Sequence, residues 1–201
     1  MRAKTPLGKP EDYFIKQGYE IRPENVFFDD TPLTDEYQDE VYQYARLIAD
    51  RDQLRSICDI GCGSGFKLLK YFSERETLGM DLPPTVAWLK AAHPDRRWCD
   101  ALIEYDTISG YDLAIASDMI EHLVNPDTLL DFIERSQFKR AIISTPERDK
   151  LAKGRNGPPH NCHHIREWNS AEFVSYIGSR FKIEQHQVSK AGTQFVECSH
   201  K

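Results

Sequence analysis

The stretch Ser56 to Gly65, SICDIGCGSG, restricts what this chain can fold into more than any other. Ile57, Cys58 and Ile60 make a short apolar run holding one carboxylate, Asp59. Gly61, Gly63 and Gly65 follow on alternate positions before an amphipathic segment, Phe66 to Phe72. An apolar run bounded in this way reads as a buried strand, a glycine turn and a helix start. Glycines permit positive φ and close approach of backbone to a ligand, and the helix start offers free N–H groups to something electronegative. A nucleotide-like ligand suits such a turn.

Downstream the elements alternate. The pattern predicts strands at 57–60, 77–80, 97–99, 112–116 and 140–144, with helices at 65–73, 84–92 and 126–134 between them and another at 170–177. Two closing strands, 181–189 and 193–198, meet around Lys190 to Gly192 as an antiparallel hairpin. Strands alternating with helices imply an α/β fold, a mostly parallel sheet covered on both faces.

The 201 residues suffice for one domain with its own core and are too few for two large ones. Residues 1–50 read as an N-terminal arm or lid with a leading helix, and 51–201 as the main domain. The arm, 1–34, carries Tyr13, Phe14, Tyr19, Phe27 and Phe28, too aromatic for a disordered tail. Thr34 and Asp35 look like a helix start, followed by Tyr37, Val41, Tyr42, Tyr44, Ala45 and Ile48 at mostly helical spacing. A second irregular stretch, 146–167, is far longer than an ordinary α/β connection and leaves the strand edge where open sheets bind ligands.

The 26 basic and 32 acidic side chains give a net charge of −6, which argues against a polyanion-binding face and so against nucleic acid. No apolar run approaches the ~20 residues of a membrane span, and the N-terminus has no apolar signal core, so a cytoplasmic protein without membrane contact is expected. Five cysteines, with Cys58 in a strand and Cys62 in the glycine turn, do not suggest a disulfide framework.

The glycines are spaced G-x-G-x-G, with an acid two residues ahead, unlike the G-x-G-x-x-G of dinucleotide folds. The pattern D-x-G-C-G-x-G resembles the first motif of class I S-adenosylmethionine-dependent methyltransferases, whose Rossmann-like sheet has seven strands ending in an antiparallel hairpin. The resemblance implies cofactor contacts from Asp59, Gly61, Cys62, Gly63 and Gly65. It extends to Asp81 and Leu82 after the second strand, where a carboxylate can hold both ribose hydroxyls, to Asp100 and Ala101 beside the adenine, and to Ser117 beside the sulfonium. Lys67 reads either as a solvated surface residue or as a contact for an anionic substrate group.

Beyond Ser117 the run SDMIEHL places Asp118, Glu121 and His122 at i, i+3 and i+4, one face if the segment is helical. It resembles the acid-x-x-Glu-His motif of small-RNA 2′-O-methyltransferases of the Hen family and of ubiquinone-pathway O-methyltransferases, in which these side chains hold a divalent metal. A further histidine of the RNA enzymes is matched by His164, ahead of Glu167 and Trp168. Asp118 stands where the first residue is usually Glu, which shortens its reach. Three readings of the cluster stand side by side. It ties a helix to a loop; or it binds Mg, Mn or Fe through Asp118, Glu121, His122 and His164; or it supplies a metal-free histidine base, with Glu121, His122 and His164 as catalytic residues. The run H-x-C-H-H around Cys162 lacks the separated pairs of a structural zinc site.

The expected function is therefore methyl transfer from S-adenosylmethionine to a small-molecule acceptor. O-methylation of a sugar or polysaccharide precursor comes first, because the arm and the GSGFKL turn look like bacterial enzymes of carbohydrate modification. Methylation of an RNA 3′ end, and a non-catalytic cofactor-binding subunit, are the alternatives.

Overall fold

The computed structural model of the protein describes residues 8–24, 29, 31–32, 37–100, 102–153 and 155–201. Thr34, Asp35, Phe27, Phe28 and Ala101, all named above, lie outside the described residues. Seven strands form one sheet in the order β3-β2-β1-β4-β5-β7-β6. They are β1 (Ser56–Ile60), β2 (Glu76–Met80), β3 (Arg97–Cys99), β4 (Leu113–Ala116), β5 (Arg140–Pro146), β6 (Lys182–Val188) and β7 (Thr193–Ser199). The first five pair in parallel, while β7 is antiparallel to both β5 and β6. This is the mostly parallel sheet with a terminal antiparallel hairpin that the sequence pattern implied, and the Rossmann-like fold that the resemblance implied.

The central strands β1 and β4 are buried at every position, because helices cover both faces of the sheet. Alternate side chains divide between two cores. Cys58, Ile60, Ala114 and Ala116 face one layer with α4 (Asp127–Ser136) and α6 (Ser170–Arg180). Ile57, Leu113 and Ile115 face the other with α1 (Asp39–Arg51), α2 (Phe66–Phe72) and α3 (Pro83–Ala92). Asp59 falls by the same alternation on the α1 side, so a carboxyl points into an apolar layer. In α1 the buried residues Val41, Tyr42, Ala45, Ile48 and Ala49 recur at helical spacing. At the start of α6, Asn169 and Glu172 cap each other's backbone N–H groups.

The arm belongs to the core of the sheet domain. Tyr13, Ile15 and Tyr19 pack in the layer of α4 and α6, and Trp168 Nε1 donates to the Tyr13 carbonyl at 2.9 Å. The Arg166 guanidinium lies 4.7 Å from the centre of the Tyr13 ring and that of Arg148 lies 5.0 Å from the Tyr19 ring. Past Tyr19 the arm bonds to the long connection, Glu20 N–H to the Asn156 carbonyl at 2.6 Å and Arg22 N–H to that of Ile165 at 2.9 Å. That connection is not structureless, since β5 runs on to Pro146 and a short helix, α5 (Arg148–Ala152), follows.

Candidate active site

The glycine turn leaves β1 at the carboxyl edge, beside the point where chain order reverses between β1 and β4, the usual binding crevice of an open α/β sheet. Gly61 (φ 76°) must be glycine twice over: its backbone is left-handed, and a Cβ there would stand 2.9 Å from Met119. Gly65 (φ 69°) precedes α2 and is packed so closely under Trp98 that a Cβ would meet the ring at 2.8 Å. The turn is thereby pressed between Met119, in the segment after β4, and the ring from β3.

Two carboxyl groups stand beside this turn, and one of them, Asp81, bonds to it. Asp59 is fully buried, and the Tyr42 hydroxyl donates to its two oxygens at 3.1 and 2.9 Å. Tyr42 is itself buried, which with the neighbouring Asp59 charge raises its phenol pKa and keeps it a donor. Asp81 accepts the Gly63 N–H at 2.8 Å through one oxygen and the Leu82 N–H at 2.7 Å through the other. Leu82 stands 53% exposed at the rim, and Asp100 is exposed at the end of β3. Cys62 is buried inside the turn.

At the end of β4, Ser144 of β5 organises the backbone. Its hydroxyl donates to Asp118 Oδ1 at 2.6 Å and accepts the Asp118 N–H at 2.9 Å. Ser117 Oγ lies 3.1 Å away; since the Ser144 proton is committed to Asp118, Ser117 is the donor of that pair. The second Asp118 oxygen accepts Gln38 Nε2 at 3.0 Å. Burial raises the Asp118 pKa against these hydrogen bonds.

The expected helical face over 118–122 does not form. One 3-10 turn, Ile120–His122, replaces it, and Asp118 precedes it at φ 48°. Asp118 bonds to Ser144 and Gln38, and among the described residues the group of ligand-type atoms comprises Glu121, His122 and His164, all within 4.8 Å of one another. Both Asp118 oxygens are engaged, by Ser144 and Gln38, while its charge still acts on Glu121.

His122 Nδ1 lies 2.9 Å from the His163 carbonyl, which can only accept. Nδ1 therefore carries the proton, and in the neutral ring the lone pair is on Nε2. Burial, with His164 beside it, pulls the His122 pKa down to about 4, so the ring is neutral at pH 7. His164 Nδ1 is 2.8 Å from Glu167 Oε1 and Nε2 is 2.9 Å from Asn161 Nδ2. Donation by Nδ1 to the carboxylate leaves the second lone pair on Nε2, facing an amide donor. The two rings meet edge to face at 4.8 Å.

Glu121 completes the arrangement and is its least satisfied member. It is 0% exposed, and neither oxygen finds a hydrogen-bond partner among the described residues; Thr145 Oγ1 is near but completes no bond either. Its Oε1 lies 3.9 Å from His164 Nε2, acceptor facing acceptor. Burial first, and then the Asp118 charge, push the Glu121 pKa well above the carboxylate range. A buried carboxyl set against an imidazole lone pair is resolved either by a proton or by a cation. The donor set of one carboxylate and two imidazoles fits a divalent transition ion such as Mn or Fe better than Mg, which prefers oxygens and retained water. Main-chain bonds fix the cluster, the Ile165 N–H to the Glu121 carbonyl at 2.9 Å and Arg166 to the carbonyls of Leu123 and Val124 at 2.7 and 2.9 Å.

Sequence reasoning did not single out Tyr42, Gln38, Ser144 or Asn161. For Tyr42 a signal existed, since a carboxyl inside an apolar strand needs a donor from the covering helix. An open hollow lined by Tyr37, Asp39, Glu40, Gln43 and Ala191 flanks Gln38 and contains none of the expected residues. No helix among the described residues is long and apolar enough to cross a membrane.

A family model described as Methyltransferase domain matches residues 34–185. The chain is 25% identical over 183 residues to the mouse (Mus musculus) small RNA 2′-O-methyltransferase, aligning 78% of this chain with 45% of that protein, so it spans under half the relative's length. Among solved structures, the methyltransferase domain of bacterial CtHen1-C is similar at TM-score 0.64 and 18% identity, covering 83% of this chain and 99% of that one. A SAM dependent methyltransferase from Aquifex aeolicus matches at TM-score 0.65 and 15% identity, over 87% of this chain and 100% of that one. At these identities the structural likeness is one of fold.

Proposed function

The chain belongs to the methyltransferase-domain family and is a class I enzyme dependent on S-adenosylmethionine, and from that premise we propose that it methylates a hydroxyl of a polyhydroxylated acceptor beside the Glu121, His122 and His164 cluster. The observation that carries this reading is Glu121, a fully buried carboxyl without a hydrogen-bond donor among the described residues, grouped with His122 and His164 so that one ligand-type atom of each lies within 4.8 Å of the others. When bound, the cofactor supplies an electrophilic methyl on a sulfonium. In this reading the glycine turn lies under its amino-acid end, Asp81 accepts from the ribose, and Leu82 and Asp100 border the adenine.

A neutral hydroxyl is a weak nucleophile at pH 7, so its proton has to be weakened or removed. Glu121, His122 and His164 would hold a divalent cation, which supplies the Lewis acidity that lowers a hydroxyl pKa. Glu167 keeps the His164 proton on Nδ1, and the His163 carbonyl does so for His122. Asn161, from the exposed loop, donates to His164 Nε2 and has to turn aside for that nitrogen to serve as a ligand or base.

A sugar or polysaccharide precursor is the first acceptor class. The hollow beside Gln38 carries Asp39 and Glu40 with a tyrosine, a rim that accepts hydroxyl hydrogen bonds and repels a phosphate backbone. The second reading, the 2′-hydroxyl of an RNA 3′ end, is favoured by the name of the mouse relative. Labelled cofactor incubated with sugars, nucleotide sugars, and RNA oligomers with free or blocked 3′-terminal diols tests both. Transfer to sugars alone supports the first reading, and transfer confined to free-diol RNA replaces it with the second. Transfer to an amine, untouched by chelator, would sink both.

A further inference from the structure

Two carboxyl groups at the strand edge are held from the start of one helix. Gln38 is the residue before α1 and Tyr42 lies in its first turn, four positions later. Gln38 Nε2 donates to Asp118 Oδ2 at 3.0 Å, and the Tyr42 hydroxyl donates to Asp59 at 2.9 and 3.1 Å. Asp59 belongs to β1 and Asp118 follows β4, its neighbour in the sheet, so a single helical turn bridges the switch point between them. The apolar packing of α1 is carried by Val41, Ala45, Ile48 and Ala49 together with the Tyr42 ring.

The contact at Gln38 is strained on both sides. Gln38 has φ 64° and Asp118 φ 48°, the left-handed region that disfavours side chains with a Cβ. Two such residues meeting in one hydrogen bond, with Ser144 holding the second from behind, are over-determined by their surroundings. Strain maintained in this way gathers at functional sites.

We propose that Gln38 and Tyr42 are positioning residues, through which the first turn of α1 sets Asp59 at the amino-acid end of the bound cofactor and Asp118 beside its charged sulfur. The inference rests on the cofactor placement given under the proposed function and adds the helix that governs it. Asp118 adjoins Ser117, the residue that borders the sulfonium in that placement. A carboxylate there attracts S-adenosylmethionine more than S-adenosylhomocysteine, whose sulfur is uncharged. Asp59, at the other end, meets a part that the two ligands share. The two holders therefore have separable effects on binding, with no acceptor needed to see them.

Calorimetry with both ligands on the full chain, alongside melting temperatures, makes the test. Tyr42→Phe should weaken S-adenosylmethionine and S-adenosylhomocysteine by the same factor, roughly 10-fold, as expected for losing a hydrogen bond to a charged group. Gln38→Ala should lower the preference for S-adenosylmethionine over S-adenosylhomocysteine by roughly 5-fold or more. Gln38→Gly should show the same lost preference while its melting temperature holds or rises, because glycine accepts the left-handed backbone without strain. A merely structural Gln38 would instead lower the melting temperature in both variants and leave the ligand preference alone. Unmoved affinities in Tyr42→Phe together with an unmoved preference in the Gln38 variants overturn the proposal while the cofactor site stands. A wild-type protein that binds neither ligand overturns the site and the proposal together.

Discussion

At the ends of β1 and β2 each carboxyl has its donors, Tyr42 for Asp59 and the N–H groups of Gly63 and Leu82 for Asp81. After β4, Glu121 is as buried as Asp59 and has none among the described residues. The same sheet edge thus holds one region whose carboxyls are satisfied within the protein and another in which the Glu121 carboxyl has no partner among the described residues. A satisfied carboxyl maintains a shape, here a glycine turn ready to receive a ligand. An unsatisfied one is costly to bury, at about 1–3 kcal/mol for a group without a partner, and marks where a proton or a cation belongs.

The largest effects should come from the unsatisfied region. His164→Ala and His122→Ala, or exhaustive chelation of the wild type, are expected to lower turnover by at least ~100-fold, the usual scale for losing acid–base or metal assistance. Affinity for S-adenosylhomocysteine should change little, because neither ring belongs to the glycine turn. Activity that survives chelation but fails in His164→Ala would make the loop histidine a general base and remove the metal from the account. Loss of cofactor affinity in either variant would erase the contrast between the two regions.

An intermediate effect is expected where the carboxyl is satisfied. Asp81→Ala removes both the proposed ribose contact and the acceptor of the Gly63 N–H, so cofactor affinity should fall by about 1.5–3 kcal/mol, or roughly 10- to 150-fold. Calorimetry giving an unchanged dissociation constant would place the ribose elsewhere. Asp81→Asn separates the two roles, since its amide keeps an oxygen for Gly63 and loses the charge.

The satisfied region was also the legible one. Its strands are buried on both faces and read as apolar runs, and its glycines stand at positions that demand positive φ, so Ser56–Ile60 and Gly61 to Gly65 were placed from local sequence alone. The holders were hidden because their partners are remote in the chain, 17 residues for Tyr42 and Asp59 and 80 for Gln38 and Asp118. The spacing of SDMIEHL suggested a helical face that the protein does not make. Asp118 takes a left-handed conformation stabilised by Ser144 from a neighbouring strand, and a helical period counted along the sequence cannot register that. His164 was legible only by resemblance, since the loop that carries it has no periodicity and reaches the cluster through the Ile165 bond to Glu121.

The smallest effect is on stability, and its sign separates the two kinds of carboxyl. In metal-free protein the Glu121 pKa lies well above the ordinary value near 4.3, because burial disfavours its charge. The folded state then keeps a proton that the unfolded state has already released. The resulting stability is full below about pH 4.3 and is lost as pH rises through the folded value. Glu121→Gln cannot ionise and should escape that loss, leaving it about 1 kcal/mol more stable than the chelated wild type at pH 8 even as its turnover collapses. Added Mn should narrow the gap by stabilising the wild type alone. Asp112 supplies the opposite sign. Burial raises its pKa, but Lys139 and the N–H groups of Arg55 and Ser56 outweigh that and lower it overall. Its contribution is therefore present above about pH 3.9 and lost as pH falls through the folded value. Melting curves of the wild type, Glu121→Gln and Asp112→Asn from pH 3 to pH 8, with chelator, resolve both trends. A Glu121→Gln curve parallel to the wild type from pH 5 to pH 8 would show that the carboxyl has found a partner, and that the two regions do not differ in the way proposed.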